Sequence, residues 1–129
     1  MKKLFISTTL LFFISCYSNN LSLLPEKVSP DVYNVLLENE DIKILEVTFA
    51  PGQSDKMHEH FPTTAYIIEG GKAEVTLPNG TVNEINPTNG LTLHNPEKAK
   101  HQVKNIGDNT MKIILFERKN TRTIVKTKQ

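Results

Sequence analysis

Apolar and polar residues alternate along this chain with a period of two rather than 3.6. In residues 72–77, Ala73, Val75 and Leu77 fall on one side and polar residues on the other, the pattern of a half-buried strand. Residues 33–38 and 42–49 are apolar-rich runs around Asn39-Glu40-Asp41, which predicts a hairpin, and Pro51-Gly52 ends the second run. Further strands are predicted over residues 65–68, 81–85, 91–95, 101–105, 111–117 and 121–125. Gly70-Gly71, Pro78-Asn79-Gly80, residues 87–90, Pro96-Glu97-Lys98 and residues 105–109 mark the turns between them. Short strands rich in Val, Ile, Thr and Phe, with turns every 8–12 residues or so, predict an all-β barrel or sandwich. No stretch sustains the apolar period of a long helix, and no internal repeat stands out. A barrel of this size leaves an interior that suits a ligand or a metal.

The first residues read differently. Lys2 and Lys3 precede an uncharged run over residues 4–15, followed by Cys16 and a polar stretch. A basic start and a short apolar run describe an export signal, and the run is too short for a membrane span, which needs about 18 apolar residues. Phe13-Ile14-Ser15-Cys16 resembles a bacterial lipobox, with Phe13 where Leu is usual. That resemblance implies cleavage before Cys16 and lipid on its sulfur. The alternative is an ordinary signal cut a few residues later, with Cys16 lost. The expected organisation is a signal peptide over 1–15, a tether over 16–30 punctuated by Pro25 and Pro30, and one domain over 31–129. The expected location is the cell envelope, membrane-anchored through lipid only, or periplasmic or secreted if the cut falls later.

Composition narrows the function. The chain has 129 residues, 15 basic and 14 acidic, a formal net charge of +1 and 38% hydrophobic residues. There is no field of one sign to hold nucleic acid, and the composition is not that of a disordered chain. A single cysteine excludes a disulfide framework and a multi-cysteine zinc site.

Four histidines remain. His58 and His60 are two apart, so in a strand they share a face and can chelate one ion. Alone, that spacing describes two surface histidines equally well. The context is stronger. Gly52-x5-His58-x-His60-x3-Thr64-x6-Gly71 resembles the first motif of the cupin superfamily, G-x5-H-x-H-x3,4-E-x6-G. Gly90-x5-Pro96-x-Lys98-x2-His101-x3-Asn105 resembles the second, G-x5-P-x-G-x2-H-x3-N. The chain is thus similar to small single-domain cupins over about residues 33–117. The implied fold is a cupin β-barrel, a double-stranded β-helix of jelly-roll type.

The resemblance implies His58, His60 and His101 as ligands of a divalent transition metal, with Fe, Zn, Mn, Ni and Cu all compatible with imidazole. Two positions depart from it. Thr64 stands where the family has its carboxylate, so the implied site is three neutral imidazoles, as in some cupin dioxygenases that act on thiols. If Thr64 faces the cavity, a glutamate there would supply a fourth ligand. Lys98 replaces a glycine expected at positive φ, where another residue costs on the order of 1 kcal/mol. It is either a surface lysine or a receptor for an anionic substrate at the cavity mouth. His94 and Tyr66 are further cavity candidates, each equally readable as surface or packing. The expected function is binding or turnover of a small organic molecule at the three-histidine site. The rival is a non-enzymatic lipoprotein that binds a small molecule, sugar or protein. Cupins often form homodimers, although no interface stripe is visible in this sequence.

Overall fold

The computed structural model describes residues 23–120. It contains a one-turn helix α1 (Pro25–Val28) and nine strands: β1 (Tyr33–Glu38), β2 (Ile42–Phe49), β3 (His58–His60), β4 (Thr63–Glu69), β5 (Ala73–Thr76), β6 (Val82–Ile85), β7 (Thr92–Asn95), β8 (Ala99–Asn105) and β9 (Met111–Arg118). A five-stranded sheet has the order β1-β2-β9-β4-β7 and a four-stranded sheet the order β3-β8-β5-β6. Every pairing is antiparallel. The expected all-β architecture is therefore present. The signal peptide, Cys16 and the strand expected over 121–125 lie outside the described residues.

Alternation builds the interior. Strand β2 turns Lys43, Leu45, Val47 and Phe49 inward, and β9 answers with Met111, Leu115 and Glu117. With Val32, Tyr33 and Ala73, the apolar members of these rows form one core. Each fully buried Leu, Val or Phe contributes about 1.5–3 kcal/mol. The inward rows change character along their length: they are apolar at Phe49 and Met111, and charged at Lys43 and Glu117, which pair across the ladder.

The glycines that open the two motif-like runs are required by backbone geometry. Gly52 (φ 77°) and Gly90 (φ 78°) adopt the left-handed conformation that side chains disfavour. Asn105, fully buried, donates from Nδ2 to the carbonyls of Phe49 and Asn109 and so fastens the end of β8 to the ends of β2 and β9.

Two expectations are corrected here. Residues 23–30 are not free tether. Leu24, Pro25 and Ser29 are buried, and Glu26 of α1 reaches Lys43 Nζ at 2.6 Å. Punctuation by proline signalled an end to periodicity, but Pro25 is the first residue of a helical turn, where its missing N–H costs nothing. Lys98, in turn, is not strained, since no described residue other than glycine has positive φ.

Candidate metal centre

Ladder register assembles the histidines. His58 stands directly opposite His101 in the β3–β8 pair, and His60 follows on the same face two residues on. Their neighbours Glu59 and Lys100 point away and approach each other at 3.5 Å. One ligand atom from each of His58, His60 and His101 lies within 4.8 Å of the others.

Hydrogen bonds aim the rings. His58 Nδ1 is 2.7 Å from the Lys56 carbonyl. A carbonyl only accepts, so Nδ1 carries the proton and Nε2 is left as a lone pair. His60 Nδ1 is 2.5 Å from Glu117 Oε1; when Glu117 is ionised it accepts from Nδ1, and Nε2 is then left as a lone pair as well. The two Nε2 atoms face each other at 2.7 Å. Facing lone pairs at that separation repel unless a cation or a proton lies between them. Two ligands at right angles on one ion, with bonds of about 2.0–2.1 Å, would be about 2.9 Å apart. The donor set therefore fits a divalent transition metal.

Burial keeps His60 and His101 neutral. Burial, then the neighbouring His58, push His60 down to about 3. Burial, then His60 and His58, push His101 down to about 3. Burial raises Glu117 to about 7 against the pull of Lys43. Tyr33 donates to Asp55 Oδ2 at 2.7 Å, and its oxygen lies 3.2 Å from His58 Nε2. Burial and then Asp55 hold its hydroxyl well above the usual phenol range, so it stays protonated. Asp55 also accepts from the Val103 amide at 2.7 Å, tying the segment before β3 to β8.

These shifts make stability depend on pH in the metal-free protein. His60 and His101 each contribute stability fully above about pH 6.5 that is lost as pH falls toward 3. Glu117 acts in the opposite sense, its contribution being present below about 4.5 and lost as pH rises toward 7. Two protons against one leave a net uptake of about one on unfolding between pH 6.5 and 4.5. Stability should therefore fall by about 1.4 kcal/mol per pH unit of acidification in that window, which urea titrations at several pH values would measure. A flat or rising profile would mean that the histidines are not held neutral.

Beside the histidines lies a cavity of about 250 Å³, with walls from both sheets and His60, His101 and Tyr33 at its polar end. His58 is fully buried and does not line it.

The remaining candidates are placed elsewhere. Thr64 and Tyr66 do not line the cavity, whereas Thr63, Ala65 and Ile67 do. Thr64 Oγ1 instead meets His94 Nδ1 at 2.9 Å, its cross-strand neighbour on the outer side, and Tyr66 is 47% exposed. The cause is the break at Phe61-Pro62 between β3 and β4, which shifts the alternation by one so that odd positions face inward. The four-residue spacing that the first motif also allows lands on Ala65, which faces the cavity and has no donor. Thr64→Glu is therefore expected to leave metal affinity unchanged in a calorimetric titration, and a tighter site would show that position 64 turns inward. His94 is exposed at the cavity's border. Lys98 is exposed and outside the lining, with its ammonium 5.6 Å from the Phe61 ring centroid.

Sequence reasoning missed Tyr33, Lys43, Asp55 and Glu117. Lys43 and Glu117 are the charged members of the otherwise apolar inward rows of β2 and β9, Tyr33 opens β1, and Asp55 precedes β3 outside any strand.

The architecture is that of the cupin double-stranded β-helix, here with a three-histidine cluster inside. The chain is similar to a cupin domain of Bordetella pertussis, with 26% identity and a TM-score of 0.63 over 69% of this chain and 93% of that one. It also resembles an RmlC-like cupin family protein of Methanocaldococcus jannaschii (18% identity, TM-score 0.55, 67% of this chain and 78% of that one). A third similar structure is the polyketide cyclase RemF of Streptomyces resistomycificus (19%, 0.52, 68% and 64%). The last two likenesses are of fold alone. No protein-family model and no curated relative matches the sequence.

Proposed function

We propose that the domain holds a divalent transition ion on His58, His60 and His101 at the inner end of the barrel cavity and presents it to a small organic molecule. The observation that carries this is the convergence of His58 Nε2 and His60 Nε2 at 2.7 Å, with His58 Nδ1 bonded to a carbonyl and His60 Nδ1 to a carboxyl group. When bound, such an ion acts as a Lewis acid and offers open positions to a ligand. The chain's own residues do the rest. Lys56 and Glu117 fix the ring orientations, as partners of metal-bound histidines do. The apolar wall excludes water, and Tyr33 keeps a neutral hydroxyl beside the histidines.

Metal analysis of the purified soluble domain should find one transition ion per chain after loading, and a chain that takes up none would end this reading. Dioxygenase-like turnover is its enzymatic form, tested by oxygen uptake with small thiols and diketones. The alternative is a non-enzymatic binding module, whose ligand would lie against the apolar wall of the cavity.

The proposed location is the cell envelope, through lipid on Cys16, supported by the uncharged run before it. Two or more acyl chains suffice for stable anchoring. Cys16→Ser is expected to move the folded protein to the soluble fraction, and retention with the membrane would contradict the anchor. Leu37, Ile44 and Phe116 lie in one cross-strand row of the five-stranded sheet, with Leu37 and Phe116 exposed. This row supports a homodimer through that face.

A further inference from the structure

We infer that the cavity takes a compact apolar molecule of one or two small rings, with its polar atom at the histidine end, and that it rejects sugars, phosphate esters and extended lipids. The inference deepens the proposed function by naming the ligand class. It rests on the interior being a ligand site, but not on the presence of a metal.

Size sets the first limit. A cavity of about 150 Å³ accommodates benzene, so one of about 250 Å³ has room for roughly ten non-hydrogen atoms. That is a naphthalene- or indole-sized body, and it is too small for a nucleotide or a long acyl chain.

The wall sets the second limit. Val47, Phe49, Ile67, Val75, Met111 and Leu115 supply much of it, and no lysine, arginine, aspartate or glutamate belongs to it. Nearby ammonium groups are engaged elsewhere, Lys43 with Glu26 and Lys98 over Phe61. A sugar would leave most of its hydroxyls without partners along such a wall, and a phosphate would lose its hydration.

Polar atoms gather at one end. Besides the histidines and Tyr33, the lining offers Thr63 and Asn95, which pair across β4 and β7, and Thr63 stands opposite Glu117, the partner of His60. A molecule entering ring-first would therefore pass His94 at the border and find its other hydrogen-bond partners at the inner histidine end.

The rim carries apolar residues as well, next to His94. Ile85 of β6 and Leu93 of β7 line the cavity while remaining 38% and 45% exposed. Exposed apolar residues continuous with an apolar interior mark an entrance for an apolar ligand.

The probe is 2-naphthol, followed by its own fluorescence, added to the full protein after chelation and again after loading with Zn(II). Saturable binding with a blue-shifted emission is expected in both states, with no competition from glucose or phenyl phosphate in the chelated protein. Ala65→Phe fills the cavity and should weaken binding at least tenfold. Leu93→Lys, at the exposed rim, keeps the test valid if the first variant does not fold, and should weaken binding severalfold. Binding by chelated protein together with failure to take up Zn(II) would end the metal reading and leave this one standing. Binding only with Zn(II) present, displacement by glucose, or unchanged affinity in folded Ala65→Phe or in Leu93→Lys would overturn it.

Discussion

His101→Ala is expected to lower the affinity for a probe ion such as Co(II) by about 100-fold or more while leaving the barrel folded. Loss of a residue that merely orients a ligand already costs about 10–100-fold, and His101 would be a ligand itself. It is the suitable member of the three to remove. His58 and His60 are buried, each with Nδ1 fixed by a hydrogen bond, whereas His101 is only partly buried and lines the cavity. Cobalt absorption during titration reads the affinity, and circular dichroism reads the fold. Unchanged affinity would place the ion elsewhere and leave the pair His58–His60 as a purely structural contact.

Lys43→Met should destabilise the domain by about 3–5 kcal/mol, the usual consequence of removing one partner from a buried ion pair. Lys43 is 1% exposed, and its ammonium is 2.6 Å from Glu26 Oε1. Without it, Glu26 is left desolvated and Glu117 loses the charge that opposes its upward shift. The double variant Lys43→Met with Glu26→Gln should recover much of the loss, since both charges then leave together. Urea unfolding measures both variants. A loss below about 1 kcal/mol would show that water reaches the lysine and that the pair behaves like a surface one. Metal affinity should fall too, because a protonated Glu117 is a poorer acceptor for His60 Nδ1.

Much of this arrangement is readable from the residues. β1 and β2 begin and end where their apolar runs meet Asn39-Glu40-Asp41 and Pro51-Gly52, because strong turn residues leave the alternation no freedom. The histidine cluster is readable because spacing of two in a strand is a statement about direction. What was hidden depends on parity between strands. Phe61-Pro62 resets the alternation, so the position matched to the family carboxylate lands on the outer face. β2 is apolar on both faces, with Ile42 and Ile44 outward against Leu45 and Val47 inward. A lysine in its midst carries no local sign that it points to the interior. Glu26, 17 residues earlier in the chain and 2.6 Å from the ammonium, helps make that burial tolerable, and no local pattern announces such a partner.

Strand β3 gives the centre a dynamic character of its own. It is three residues long and, among the described residues, sits at the edge of its sheet and pairs with β8 alone, yet it carries two of the three histidines. Edge segments with so short a ladder open locally at far lower cost than the whole fold. An ion bridging β3 and β8 would close that local opening, so fraying of the edge and departure of the ion become one event. The residence time of a bound metal would then be set by how often a three-residue ladder parts from its neighbour. The sequence around it, Asp55 and Tyr33 before all, would tune that rate without touching a ligand.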